Sequence, residues 1–160
     1  QVIAQRQVAG TDIMVGLLDT EVPATITVAR ILPVDYAGKL PLAGLPLLCS
    51  DKEKKALVAN VRTTGGGTIY IEAPTQAARA AFFEDWIGGD SGSPGLIFVR
   101  SKPVLLLAAE NPTNGPDYSA RQAGIAVAMA QLGGGFQLTP AVLTAPPPRQ
   151  FSGAVVIEPQ

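Results

Sequence analysis

The sequence predicts an all-β domain with one C-terminal helix, and three observations carry that prediction. Short β-prone runs recur with turn residues between them, at residues 12–18, 26–32, 56–62, 68–72, 96–100 and 104–109, the pattern of a barrel or sandwich. Pro23, Pro33, Pro41, Pro46 and Pro74 fall at or between the ends of those runs, where a missing N–H does least harm to a strand ladder. Gly65-Gly66-Gly67 separates two runs, and glycine takes positive φ at low cost, so a hairpin turn is expected there. The same triplet is not read as a phosphate cradle, because no Gly-Lys-Ser/Thr pattern or helix start follows it.

The elements follow in chain order. Lys52-Glu53-Lys54-Lys55 reads as a solvated turn before the run at 56–62. After the run at 104–109, the spacing of Ile125, Met129 and Leu132 predicts a helix over 120–132, with alanines filling the other positions. Ser119 is its expected N-cap and Gly133-Gly134-Gly135 its end. Residues 136–160 read as an extended tail, because Pro146-Pro147-Pro148 favours polyproline II. One more strand is expected within it at 151–157. There is no internal repeat.

Size and composition bound the rest. A chain of 160 residues reads as one domain with a real core. It is 47% hydrophobic and 16% charged, with a mean hydropathy of +0.26, so either the core is extensive or a partner covers an apolar face. The 12 basic residues are scattered and the net charge is −1, which gives no nucleic-acid footprint. No apolar run approaches the roughly 18 residues of a membrane span. Cys49 is the single cysteine and there is no histidine. An internal disulfide, a Cys/His metal site and a transition-metal centre are therefore not expected, and no cofactor is implied. Asp and Glu do not cluster at calcium-loop spacing. Cys49, within Leu47-Leu48-Cys49, reads as a small buried residue. A bacterial or viral origin fits this cysteine usage better than that of an animal secreted protein. The start at Gln1, without Met or a signal-peptide pattern, reads as a processed product or a fragment and leaves the compartment open.

The chemistry concentrates at Gly88-Gly89-Asp90-Ser91-Gly92-Ser93-Pro94. Nucleophilic attack on an acyl carbon needs an exposed hydroxyl, a base to take its proton, and donors for the developing oxyanion. Glycines around Ser91 permit a tight turn and let backbone N–H groups approach a carbonyl oxygen. The base is missing, because a serine hydroxyl is a poor nucleophile without one and this chain has no histidine. Lys39, Lys52, Lys54, Lys55 and Lys102 all lie in polar turns that keep an ammonium protonated, so a Ser-Lys pair is not expected.

The Gly89-Asp90-Ser91-Gly92 loop, the apolar runs after it, and Asp12-Ile13-Met14-Val15-Gly16-Leu17-Leu18 upstream resemble the C-terminal half of chymotrypsin-like serine peptidases. In that family the serine is followed by a hairpin, a loop, a strand and a C-terminal helix, the order expected over residues 89–132. The resemblance implies a six-stranded Greek-key β-barrel, the second barrel of the family. It divides the chain into an inter-barrel strand or linker at 1–11, the barrel with its terminal helix at 12–135, and the Pro-rich tail at 136–160. It implies Ser91 as nucleophile, Asp12 as the acid that orients the histidine, and the N–H groups of Gly89 and Ser91 as the oxyanion hole. Asp85, six residues before Ser91, falls where an acid would select Arg or Lys, the alternative being a plain surface acid. Asp90 matches the acid that pairs with a newly cleaved N-terminus in animal enzymes. This chain departs from the family at Ala109-Glu110-Asn111-Pro112, where the family has a Ser-Trp-Gly edge. The disulfide that frames the loop in the family cannot form with one cysteine.

The family's histidine precedes its aspartate, yet only eleven residues precede Asp12. A His-bearing N-terminal barrel on another chain is the implied partner, with a peptide or protein as substrate. The alternative is a catalytically inactive trypsin-like barrel serving as a binding or structural module in a homo- or hetero-assembly, such as a virion or surface appendage.

Overall fold

A computed structural model describes residues 1–143 of the chain. The fold is mostly β, with two α-helices and one 3-10 turn (Tyr36–Gly38) among the described residues. The first two strands, β1 (Val2–Gln7) and β2 (Met14–Leu18), pair antiparallel as a separate two-stranded sheet. Residues 1–11 thus supply a strand that folds back on the Asp12 segment. Thr11 shapes the turn between them, donating its hydroxyl to Val8 O at 2.8 Å while accepting the Ile13 N–H at 3.1 Å.

Seven further strands make the main sheet: β3 (Arg30–Ile31), β4 (Pro46–Ser50), β5 (Ala56–Gly65), β6 (Thr68–Glu72), β7 (Pro94–Val99), β8 (Lys102–Ala108) and β9 (Asn114–Pro116). Their order is β3-β8-β7-β4-β5-β6-β9, antiparallel except for the parallel β3–β8 pair. Three consecutive strands, β4 to β6, lie side by side, and the chain then returns through residues 73–93 to lay β7 beside β4. That is a Greek-key connection. The long return carries helix α1 (Ala77–Ala80) and the Ser91 loop. The sheet also curls until β8 and β9 touch. There the Glu110 N–H donates to Asn114 O at 3.1 Å, and a Cβ on Gly115 would stand 1.8 Å from the Ala108 carbonyl oxygen. Only glycine fits at that crossing.

Several expectations shift. The run at 26–32 shrinks to Arg30–Ile31, because only these two residues reach a partner strand; Ile26 and Val28 stay 57% and 64% exposed. The strand β4 was not among the expected runs. Pro46 occupies its first position, which proline tolerates, and Leu47 and Cys49 alternate into the core. The Gly65 to Gly67 hairpin forms as expected, with positive φ at Gly66 and Gly67. The final helix, α2 (Gln122–Leu132), starts two residues later than expected and Ser119 does not cap it. The Ser119 hydroxyl instead donates to Pro33 O at 2.8 Å, while Asp117 Oδ1 accepts the N–H groups of Ser119 and Ala120. Gly133, with φ of 78°, ends the helix as expected. The polyproline segment and the strand expected at 151–157 lie outside the described residues.

Two apolar clusters hold the molecule. The larger fills the curled sheet with Leu32, Leu47, Val61, Ile69, Trp86, Val104, Leu106 and Leu107 among others. The smaller joins the β1–β2 sheet to α2 through Val8, Ile13, Ile125 and Ala128. Here Gly124 is required by close approach, since a Cβ would meet the Val8 side chain at 2.7 Å.

Candidate functional site around Ser91

The Ser91 loop is held from three sides. Trp86, 3% exposed, anchors its start. The indole Nε1 donates to Ser50 O at 3.0 Å, and the Trp86 N–H donates to Pro112 O at 3.1 Å. Beyond it, the buried Asp90 carboxylate accepts the N–H of Ile87 on Oδ2 at 2.7 Å and that of Lys52 on Oδ1 at 2.9 Å. Those two bonds hold the Asp90 carboxyl below the usual carboxylate range, the Ile87 bond contributing most. At the loop's end, the Gly92 N–H donates to Ala109 O at 2.9 Å and the Ala109 N–H to Ser93 O at 2.8 Å.

The turn at Asp51–Lys55 is the second support. Lys52 reaches over the loop and donates its Nζ to Gly88 O at 3.2 Å. Lys55 pairs with Glu84. Gly89 has φ of +98° and lies under the Lys52 stem, which a Cβ would meet at 3.2 Å. Gly92 has φ of +87°. Both positions therefore need glycine. Ser91 itself is exposed. Among the described residues, the N–H groups of Gly89 and Ser91 donate to no backbone carbonyl.

Ser91 lies on a cavity of about 180 Å³ between two wall segments, 86–88 and 109–112. Asp85 is exposed and is not among the residues that line this cavity. The loop turns at Trp86, whose ring goes into the core and leaves the preceding acid outside. Within this chain, backbone N–H groups satisfy Asp90. Of the predicted site residues, Ser91 lines the cavity, while Gly89, Asp90 and Asp85 do not.

Asp12 stands on a different element, exposed in the β1–β2 turn over the smaller cluster. Its charge helps raise the Tyr118 pKa, second to the burial of that phenol. Sequence reasoning missed Lys52 and Trp86 as parts of the site. The first was absorbed into a charged turn, and nothing local marks the second, because the Ser50 carbonyl that fixes it lies 36 residues away.

Other chemistry is sparse. Burial pushes the Cys49 thiol up to about 12, so it is no nucleophile at neutral pH. Among the described residues, no group of three or more His, Cys, Asp or Glu is placed to hold a metal ion. A larger cleft of about 710 Å³ lies between α2 and residues 135–140, lined by Gln122, Ala123, Ala126, Phe136 and Leu138 among others, with no charged side chain on its walls. No helix among the described residues is long and apolar enough to cross a membrane. Comparison of the chain with known protein families, curated proteins and solved structures finds no match.

Proposed function

We propose that this chain is the nucleophile-bearing half of a chymotrypsin-like serine endopeptidase, whose catalytic histidine comes from a barrel outside these 160 residues. The observation that carries the reading is the Ser91 loop: an exposed serine at a cavity, Gly89 and Ser91 N–H groups that donate to no described backbone carbonyl, and a buried carboxylate clamping the turn. The path of the chain supports it as well. The loop feeds the β7–β8 hairpin, then the loop at 109–113, then β9 and α2, the order that the resemblance implies. The Greek-key connection and the touching of β8 and β9 support a six-stranded barrel made of β4 to β9.

In this reading the Ser91 Oγ attacks the substrate carbonyl carbon while the partner's imidazole takes the hydroxyl proton. The carbonyl electron pair moves to oxygen, which the Gly89 and Ser91 N–H groups stabilise. The imidazolium returns the proton to the leaving amine, and water then releases the acyl group from Ser91 by the same steps. Asp12 holds the imidazole in its productive tautomer, an assignment that needs the partner to bring its ring between the β1–β2 turn and the Ser91 loop. The test is Ser91→Ala in the complex with the His-bearing half. It should abolish peptide hydrolysis without dissociating the two parts, and undiminished hydrolysis would overturn the assignment.

A second reading is a barrel kept for binding or assembly without chemistry. The β1–β2 sheet favours it, because Val2, Met14 and Leu18 share one face of it and are 53%, 50% and 44% exposed, and exposed apolar patches mark contact surfaces. Isolation of the native material separates the two: a companion that carries a histidine favours the enzyme, and one that lacks it favours the module.

A further inference from the structure

We propose that the outer face of the main sheet carries a docking surface for the chain's own C-terminal segment, residues 151–157. The strand register places this surface. Leu48 of β4 stands opposite Val58 of β5 on one side and Leu96 of β7 on the other, and Leu96 stands opposite Leu105 of β8. Residues directly opposite in an antiparallel pair share a face of the sheet. Their chain neighbours Leu47, Leu57, Ile97 and Val104 lie in the larger cluster, so this row of four aliphatic side chains points away from it. Phe98 and Pro103, another opposed pair, extend the row. Leu48 is 38% and Phe98 59% exposed, and the other four are half-buried. A contiguous apolar patch of this kind marks a contact surface.

The path of the chain selects the occupant. At β3 the row ends on Ile31, the register partner of Leu105, and the Ala141 N–H donates to Ile31 O at 2.8 Å. Leu143 packs against the larger cluster, so the chain leaves the described fold beside that end of the row. Residues 144–150, at no more than about 3.6 Å each, can reach roughly 25 Å. The row from β3 to β5 crosses four strand spacings of about 4.8 Å, roughly 19 Å in all, so every part of it is within reach. The segment matches the row in chemistry: Phe151, Ala154, Val155, Val156 and Ile157 are apolar, and no charge falls between Arg149 and Glu158. A short tether holds such a segment at an effective concentration on the order of millimolar, which a second copy in dilute solution does not match. Row and segment thereby cover each other, and part of the chain's apolar excess is met without an outside partner.

The experiment is carbene footprinting of the full chain with a photoactivated diazirine, read at Leu48 and Phe98 by peptide mass spectrometry. It is run at a high and a much lower protein concentration. Val155→Asp combined with Ile157→Asp places two carboxylates in the segment and alters no residue of the described fold, and unchanged Trp86 emission certifies that the fold is intact. Labelling of Leu48 and Phe98 should rise severalfold in this variant, and their protection in the parent should be the same at both concentrations. Equal labelling of the two proteins would overturn the proposal. Protection that fades on dilution of the parent would overturn it as well, and would assign the row to a second copy of the chain.

Discussion

The carboxylate of Asp90 and the backbone N–H of Lys52 meet at 2.9 Å across 38 residues of sequence. This bond fastens the Ser91 loop to the turn between β4 and β5. The second carboxylate oxygen takes the Ile87 N–H at 2.7 Å, so one buried acid fixes the start of the loop and joins it to the sheet. The shape of the loop is thereby built into the fold.

Asp90→Asn should loosen this loop. A carboxamide has one acceptor oxygen, and its NH2 would face the other backbone donor. Amide exchange at Lys52 and Ile87 should accelerate, and labelling of Ser91 by a fluorophosphonate should fall by about a hundredfold, as small misplacements of reacting groups do. The folded-state pKa of Asp90 is depressed from 3.8, so its contribution is complete above that value and fades as pH falls through the lower folded value. Melting temperatures of the variant and the parent should therefore draw together as pH falls below 3.8 and converge once it passes below the lower folded value. Divergence that persists there would contradict the clamp.

Tyr36 and Asp117 make the matching prediction at alkaline pH. The Tyr36 hydroxyl donates to Asp117 Oδ2 at 3.0 Å within the protein, and burial first, then the Asp117 charge, pushes its pKa from 10 up to about 12. A raised phenol favours its neutral form in the fold. Its stabilisation is complete below pH 10 and is lost as pH rises toward 12. Tyr36→Phe should cost about 1 kcal/mol at neutral pH and remove part of the alkaline loss. Parallel pH profiles for the two proteins between those values would refute it.

Gly115→Ala tests the curl of the sheet. The added Cβ would lie 1.8 Å from Ala108 O, a backbone atom that cannot swing away. Destabilisation of about 3 kcal/mol in urea is expected. Gly65→Ala, where a Cβ meets nothing within 4 Å, should stay within about 0.5 kcal/mol. Equal effects at the two sites would argue against the contact of β8 with β9.

Trp86 is the single tryptophan, so the anchor of the loop reports itself. With the ring 3% exposed, its emission should be blue-shifted and resist quenching by acrylamide, and unfolding should reverse both. Trp86→Phe keeps an aromatic ring but leaves Ser50 O without its indole donor, at a cost of about 1–2 kcal/mol. A red-shifted, readily quenched emission in the folded protein would contradict the anchored ring.

Most strands were legible because their chemistry is local. The runs at 56–62 and 68–72, split by three glycines, became β5 and β6 with little change. The strand β9 was not, because Asn114-Gly115-Pro116 has turn chemistry and is extended only by its pairing with β6. Likewise β4 is a strand because β5 and β7 flank it, which no local pattern in Pro46–Ser50 announces. At the site, the glycines and Ser91 stood out through their residue types. The contributions of Lys52 and Trp86 depend on contacts formed across the sheet, and the position of Asp85 depends on which way one loop turns.

The most direct measurement is fluorophosphonate labelling of the native, unfractionated material, followed by peptide mass spectrometry. The account predicts an adduct on Ser91 and, in the same spectra, peptides of a His-bearing companion. A folded, intact chain with Ser91 unmodified would contradict it and leave the barrel as a binding or assembly module.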